Sequence, residues 1–289
     1  MTVASSTDTP LAPLTTLRLG GPARRLVTAE SEEELVARVR EADAAGEPLL
    51  VLAGGSNVVV ADDGFPGLVV RVATRGVERR AGPRGAVELD VQAGEPWDPL
   101  VEAVVGQGLR GWEALSGIPG STGATPIQNV GAYGQEVAAT ITGVRALDRR
   151  RGEVLDLAPA QCGFGYRTSA FKRSDRWVVL RVGFALAGDP EGGSEPIRYT
   201  ELAGALDREP GDTAPLREVR EAVLRLRRAK GMVVDPADPD SVSAGSFFTN
   251  PVLDADAFAA LVRRAGERPP AFPDREGRVK TSAAWLIER

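Results

Sequence analysis

The chain of 289 residues contains no histidine and a single cysteine, Cys162. Histidine is the commonest general base at neutral pH and the commonest metal ligand, so its absence excludes Ser-His or Cys-His catalysis, and no metal site is expected. One cysteine excludes an internal disulfide framework and a cysteine-rich metal cluster. No stretch reaches the roughly 18 apolar residues of a membrane span, and residues 1–10 carry no apolar signal core, so a cytoplasmic protein without a membrane partner is expected. A net charge of -5 lacks the basic surplus of a nucleic-acid binder. Lysine is scarce as well: of 35 basic residues only Lys172, Lys230 and Lys280 are lysine. A chain so biased toward arginine is expected to keep lysine where a compact ammonium serves and a planar guanidinium does not, with chance survival as the alternative.

Glycine in uncharged polar surroundings is what the chain has in excess. In Gly-Trp-Glu-Ala-Leu-Ser-Gly-Ile-Pro-Gly-Ser-Thr-Gly-Ala-Thr-Pro-Ile-Gln-Asn-Val-Gly-Ala-Tyr-Gly (111–134), Gly117, Gly120 and Gly123 recur every third residue, and charge is absent from Ala114 onward. Such a run suits a backbone wrapped against a polar ligand, because glycine permits close approach and positive φ. Successive amide N–H groups can then hold an anion without a cationic side chain. A surface cluster of turn residues is the alternative.

A second stretch, Ala53-Gly54-Gly55-Ser56-Asn57, lies between two apolar runs and on its own reads equally as a hairpin turn. Its upstream context favours a ligand turn. Ser31 followed by Glu34 forms a capping box, Leu35, Val36, Val39 and Ala42 supply the inner face of a helix, and Gly46 ends it. With strands at 24–28 and 49–53 this is a β-α-β unit that delivers the glycine turn at a strand's carboxyl end, where open α/β sheets bind ligands. Neither G-x-G-x-x-G after a strand nor G-x-x-x-x-G-K-[ST] is present, so a phosphate-bearing ligand would need a different cradle.

The rest of the chain is read coarsely. A strand at 68–72 closes the first unit. Residues 73–187 carry strands at 86–92, 141–147 and 177–186 and a helix near 99–107, in a larger, partly antiparallel sheet. A Gly/Pro/acid linker spans 188–196, a helix with Val219, Ala222, Val223 and Leu226 on its inner face spans 215–230, and another helix runs from Asp254 or Asp256 to about Ala265. A third polar glycine stretch, Ser243-Ala-Gly-Ser246-Phe247-Phe248-Thr249-Asn250-Pro251, places a hydroxyl beside two phenylalanines. A backbone cap is the plain alternative for any one serine there.

Four segments together carry a resemblance. Ala53 to Asn57, Ile118 to Gly134, Tyr166-Arg-Thr-Ser-Ala-Phe-Lys172 and Ala244 to Pro251 resemble, in order, the motifs of the UDP-N-acetylenolpyruvoylglucosamine reductases, over about residues 14–288. Pro196-Ile-Arg-Tyr199 resembles the tyrosine-bearing loop of the family's longer type. The resemblance implies an α+β protein. It has the FAD-binding fold of the vanillyl-alcohol-oxidase type, with two α/β subdomains at 1–72 and 73–230, and a substrate-binding α+β domain at 231–289. It implies FAD as cofactor, NADPH as co-substrate and reduction of UDP-N-acetylglucosamine enolpyruvate to UDP-N-acetylmuramate by a monomer.

By the same resemblance, Gly54, Gly55, Ser56, Asn57, Gly120, Ser121, Thr122 and Gly123 would hold the FAD pyrophosphate, and Gln128, Asn129, Gly131 and Ala132 would continue along the flavin. Tyr166, Tyr199, Lys230, Asn250 and Lys280 would bind substrate, Arg167 would stabilise the enolate, and Ser246 would donate the proton. The family also carries a second catalytic acid, a glutamate in a Glu-Pro-Glu-like segment near its C-terminus. The sequence to Arg289 contains no such segment, and Glu288 is not in that context. A truncated enzyme is therefore expected, and the alternative is an FAD- or UDP-sugar-binding protein of the same fold with little or no reductase activity. An FAD-dependent oxidase of the same fold would lack the Gly245-Ser246-Phe247-Phe248 and Tyr166-Arg167 motifs.

Overall fold

The computed structural model describes residues 6–188, 192–243, 245–274 and 277–289. Residues 1–5 of the polar N-terminal stretch, 189–191 of the linker and Ala244 of the third glycine stretch lie outside the described residues.

Three largely apolar strands and a polar edge strand build the first sheet: β1 (Ser6–Pro10), the polar one, with β2 (Pro22–Ala29), β3 (Leu49–Leu52) and β4 (Phe65–Val72), in the order β1-β2-β4-β3. β2, β4 and β3 are parallel, and β1 joins the edge antiparallel. The run Leu68-Val69-Val70 is continuous because the sheet is covered on both faces. Leu68 and Val70 pack with helix α1 (Glu32–Ala45), whereas Val69 packs with Leu11, Leu52 and Val60 on the other side. The predicted face of α1 is buried at Leu35, Val36, Val39 and Ala42, and Gly46 terminates the helix at φ 62°. Ser31 Oγ accepts the Glu34 N–H at 3.1 Å, as a capping box requires. The Glu34 carboxylate turns back one residue further than expected, to the Glu30 N–H at 2.8 Å.

The second sheet contains β5 (Val77–Ala81), β6 (Ala86–Gln92), β7 (Leu109–Arg110), β10 (Ile141–Asp148), β11 (Glu153–Leu157) and β12 (Trp177–Gly188), with main order β11-β10-β12-β6-β5. A separate short hairpin joins β8 (Gly131–Ala132) to β9 (Gln135–Glu136). Every pairing is antiparallel, where a partly antiparallel sheet was expected. Short turns joining β5 to β6 and β10 to β11 explain this, since only antiparallel neighbours can be joined so tightly. Helix α2 (Trp97–Gly106) covers the sheet, and Trp97, Trp112 and Phe184 meet beneath it, with the Trp112 and Phe184 rings edge to face at 4.7 Å. Leu147, Val178 and Leu180 extend from this sheet to the buried face of α1, and Glu32 at the start of α1 bridges Arg145 at 2.7 Å and Arg181 at 3.0 Å.

Helices α3 (Thr200–Ala205) and α4 (Leu216–Arg228) pack around Ile197, Ala114 and the half-buried Tyr133. Arg220 ties α4 to α2 through Asp98 at 2.7 Å. The chain divides into two compact units, Met1–Ala244 and Gly245–Arg289. Residues 231–243 thus fall in the first unit, whereas the sequence reading opens the third domain at Gly231.

The second unit is a three-stranded antiparallel sheet, β13 (Val252–Leu253), β14 (Phe272–Pro273) and β15 (Val279–Lys280) in the order β13-β15-β14, with helices α5 (Ala255–Ala265) and α6 (Ala283–Glu288). Asp254 caps α5 by accepting the Ala257 N–H at 2.7 Å. Among the described residues no helix is long and apolar enough to cross a membrane.

Candidate active site

The first two glycine stretches meet. β3 ends opposite Arg71 of β4, and the turn Ala53 to Asn57 leaves the carboxyl edge of the parallel sheet there. A methyl on Gly54 would stand 2.6 Å from Gly120 Cα, and one on Gly120 would stand 2.7 Å from Ser56 Oγ. Only glycine allows this approach. The Gly54 N–H donates to Ser121 Oγ at 3.1 Å, which pins the turns together. Among the described residues, the N–H groups of Gly55, Ser56, Asn57, Gly120 and Ser121 find no acceptor in the protein. Five such donors on two facing turns are the chemistry that binds a pyrophosphate.

Thr122 and Gly123 play another part. Their N–H groups donate to Glu95 O and Ala93 O, both at 2.8 Å, so they anchor the loop to the end of β6 instead of offering amide donors to a phosphate. The resemblance implies both backbones at the pyrophosphate, and their two N–H groups are already bound within the protein. A methyl on Gly123 would stand 2.5 Å from Ala93 Cβ, so its glycine is required by packing.

Beside the Gly54 turn lies a cavity of about 660 Å3 lined by Thr15, Thr16, Arg18, Ala53, Gly54 and Arg71. The sequence reading did not select Thr15, Thr16, Arg18 or Arg71. One available signal was the doublet Gly20-Gly21, where a methyl on Gly21 would stand 1.8 Å from Asp62 O.

Arg167 is held against the glycine motif itself. Its guanidinium donates to Asn129 O at 3.2 Å and to Gly131 O, and lies 3.7 Å from a Glu136 carboxylate oxygen. Its own backbone has φ 51°, and Lys172 Nζ donates to Arg167 O at 2.7 Å. One of the three lysines therefore fixes this arginine's loop. Asn129 and Tyr133 also have left-handed backbones, each at φ 46°, and non-glycine residues held so concentrate at functional sites. Tyr166 stacks 5.3 Å from the Arg167 guanidinium carbon.

Asn129, expected along the flavin, is buried with both ends of its amide engaged. Nδ2 donates to Glu136 Oε2 at 2.8 Å and Gly165 O at 3.0 Å, and Oδ1 accepts the Ala138 N–H at 3.1 Å. Its side chain is thus a structural tie between three segments. Gln128 is half-buried, and Gly131 and Ala132 form β8.

A second pole of the first unit joins Tyr199, Tyr133, Lys230 and Arg227. The two tyrosine rings meet edge to face at 5.6 Å, and Lys230 Nζ lies 2.5 Å from Glu201 Oε1. Burial raises the pKa of the Tyr133 phenol and lowers that of the Arg227 guanidinium. Arg227 donates to Met232 O at 2.9 Å, while its Nε is buried without a partner.

Within the second unit, Ser246 is exposed, beside Phe247 and Phe248, whose rings stack edge to face at 5.2 Å. Asn250 Oδ1 accepts the Ala283 N–H at 2.9 Å, so one end of its amide caps α6. Lys280 lies on β15, paired with Val252 and Phe272.

This arrangement defines a class. The FAD binding domain family matches residues 23–158. Cholesterol oxidase from B. sterolicum superposes with a TM-score of 0.51 at 11% identity, over 64% of this chain and 38% of its own, a likeness of fold. The fold is the α+β, FAD-binding fold of the vanillyl-alcohol-oxidase type.

Closer relatives narrow it. UDP-N-acetylenolpyruvoylglucosamine reductase from Salinispora arenicola (strain CNS-205) is 58% identical over 281 residues, 96% of this chain and 77% of that protein. The crystal structure of UDP-N-acetylenolpyruvylglucosamine reductase from Thermus caldophilus matches with a TM-score of 0.60 at 27% identity, over 100% of this chain and 92% of its own. The chain belongs to the UDP-N-acetylenolpyruvoylglucosamine reductase family.

Proposed function

We propose that the chain is an NADPH-dependent flavoenzyme of peptidoglycan synthesis, reducing UDP-N-acetylglucosamine enolpyruvate to UDP-N-acetylmuramate in the cytoplasm. The observation that carries this reading is the pair of closely opposed glycine turns, five of whose amide N–H groups meet no acceptor among the described residues. Gly54, Gly55, Ser56, Asn57, Gly120 and Ser121 would hold the FAD pyrophosphate there, with Gln128, Gly131 and Ala132 further along. FAD, when bound, supplies a carrier that takes hydride from NADPH and passes it to the vinyl CH2 carbon of the substrate.

The protein's part is to manage charge and a proton. When hydride reaches the CH2 carbon, the π electron pair moves to the neighbouring carbon and into the carboxylate. Arg167, already oriented by Asn129 O and Gly131 O, would stabilise that charge as it develops, so it lowers the barrier more than it aids ground-state binding. Ser246 would then give its hydroxyl proton to the carbanionic carbon, a strong enough base for so weak an acid. Tyr199, Lys230, Asn250 and Lys280 would bind the UDP portion, where lysine serves phosphate as a point charge, and Tyr166 would line the enolpyruvyl end.

The test is an absorbance spectrum of the purified chain, followed anaerobically by NADPH and then by UDP-N-acetylglucosamine enolpyruvate. Flavin bands bleached by the first and restored by the second are expected. Absence of flavin bands after FAD addition would overturn the reading. A flavin that bleaches but is not reoxidised would favour the binding protein with little reductase activity.

A further inference from the structure

Glu113 is completely buried, at 0% exposure, and makes no ion pair among the described residues. Its carboxylate is nevertheless fully occupied. One oxygen, Oε2, accepts the Gly111 N–H at 2.7 Å. The other, Oε1, accepts both Gln135 Nε2 at 2.9 Å and the Glu195 N–H at 2.8 Å. Gln135 in turn accepts the Ala114 N–H through Oε1 at 2.9 Å, and Ser116 Oγ donates to Glu113 O at 2.8 Å. A carboxylate withdrawn from water is costly unless donors surround it, and hydrogen bonds to a charged acceptor are about twice as strong as neutral ones.

One of those three bonds reaches a segment with its own assignment. Residues 192–199 end at Tyr199, and Glu195 N–H is where that segment is bound to the glycine motif. The other contacts on this side are not buried hydrogen bonds: Ile197 packs in one apolar cluster with Ala114 and Tyr133, Tyr133 and Tyr199 meet edge to face at 5.6 Å, the Arg198 side chain lies against Gly134, and the half-exposed Arg110–Glu195 ion pair spans 3.1 Å. On its far side the segment bonds to the turn before α4 and to α4 itself, through Ile197 N–H to Asp212 O at 2.8 Å, Ser194 N–H to Ala214 O at 2.9 Å and Leu216 N–H to Gly192 O at 3.1 Å, and Tyr199 O accepts the Leu202 and Ala203 N–H groups of α3. Without Glu113 the segment would remain tied to α4 but lose its one buried polar attachment to the motif that carries Tyr133.

We propose that Glu113 is a positioning residue for substrate binding: its buried carboxylate sets the Tyr199 segment against the Tyr133 end of the glycine motif. This rests on the reading that Tyr199 contacts the UDP portion of the substrate. Glu113 touches neither cofactor nor substrate, so its effect is confined to the step that uses Tyr199.

The test uses the FAD-loaded chain and its Glu113→Gln variant, which keeps shape but puts an amide where only acceptors are wanted. Flavin reduction by NADPH should keep its rate within about twofold, while the KM for UDP-N-acetylglucosamine enolpyruvate rises about 10- to 100-fold, the range for one hydrogen bond to a charged group. Hydrogen exchange in the peptide 192–199 should quicken at least about tenfold, with β10 and β12 peptides unchanged. A uniform quickening of all peptides, or local quickening with unchanged KM, would overturn the positioning role. Should the variant fail to fold, the wild-type Glu195 amide decides: exchange at the rate of an unprotected amide would sink the proposal. Failure of the underlying reading is separately visible, because Tyr199→Ala would then leave the KM for UDP-N-acetylglucosamine enolpyruvate unchanged.

Discussion

Substituting Gly54 by alanine tests whether the two glycine turns form one ligand face. The new methyl would stand 2.6 Å from Gly120 Cα, 2.8 Å from its carbonyl carbon and 3.0 Å from Ser121 N. Non-bonded carbons settle at about 3.5–4.0 Å, so the turns must part by about 1 Å. All three obstructing atoms are backbone, and no side chain can swing aside. Overpacking of this kind costs about 1–3 kcal/mol. If that strain is relieved by separating the turns, the convergent amide donors lose register, and FAD affinity falls by roughly 5- to 150-fold, taking 1.4 kcal/mol per decade. Titration of the apoprotein with FAD, followed by flavin fluorescence, measures the loss directly. Gly106→Ala is the control: nothing lies within 4 Å of its added methyl, and it sits at the end of α2. It should raise stability by about 0.5–1 kcal/mol and leave FAD affinity unchanged. Wild-type FAD affinity in Gly54→Ala would refute the shared ligand face.

Three further outcomes are expected. Arg167→Met should leave flavin reduction by NADPH intact and slow reoxidation by substrate about 10²- to 10³-fold, the range for one donor to a developing oxyanion; equal slowing of both half-reactions in stopped flow would contradict its role. The buried Asp148 accepts two hydrogen bonds from Arg176, at 2.6 and 3.0 Å, which hold its carboxyl below the usual aspartate range. Its contribution to stability is therefore complete above the unfolded-state pKa of about 3.9 and lost as pH falls further. The urea midpoint of Asp148→Asn should lie well below wild type at pH 7 and approach it below pH 4, and a gap that does not change with pH would count against the ion pair. Burial pushes the Cys162 thiol up to about 11. An aromatic disulfide reagent at pH 8 should leave it unmodified in the native protein and titrate one thiol in denaturant; rapid native reaction would contradict this.

Three strands of the first sheet were legible because their signals are local, and its edge strand β1 was missed because nothing in the polar, exposed Ser6–Pro10 marks it. Ser31, Glu34 and Gly46 bound α1 at the positions where sequence rules place caps, and the apolar spacing gave its buried face residue by residue. β5 and β11 were missed for the opposite reason. Val77–Ala81 is exposed at every position, so no alternation marks it, and only pairing with β6 makes it a strand. β11 likewise gains its identity from β10. The short elements of the second unit, two residues per strand, lie below any periodicity.

For the site, composition pointed to the right stretches but could not divide labour within them. Gly54 and Gly123 look alike in sequence; the first faces the other glycine turn, and the second backs onto Ala93. Asn129 and Asn57 likewise share a residue type, yet Asn129 is a three-way internal tie. The rule that separates them is whether a group's hydrogen bonds are already made by the protein. Thr122, Gly123 and Asn129 have theirs, whereas the N–H groups of Gly55, Ser56, Asn57, Gly120 and Ser121 meet no acceptor among the described residues, which supports their proposed contact with FAD. Lys172 is engaged in the same way: its ammonium donates to Arg167 O at 2.7 Å, as that of Lys230 does to Glu201 Oε1 at 2.5 Å. Neither contact by itself calls for lysine, since Arg167 and Arg227 donate to backbone carbonyls in the same way. What would favour lysine's point charge over a guanidinium is the proposed phosphate contact at Lys230 and Lys280.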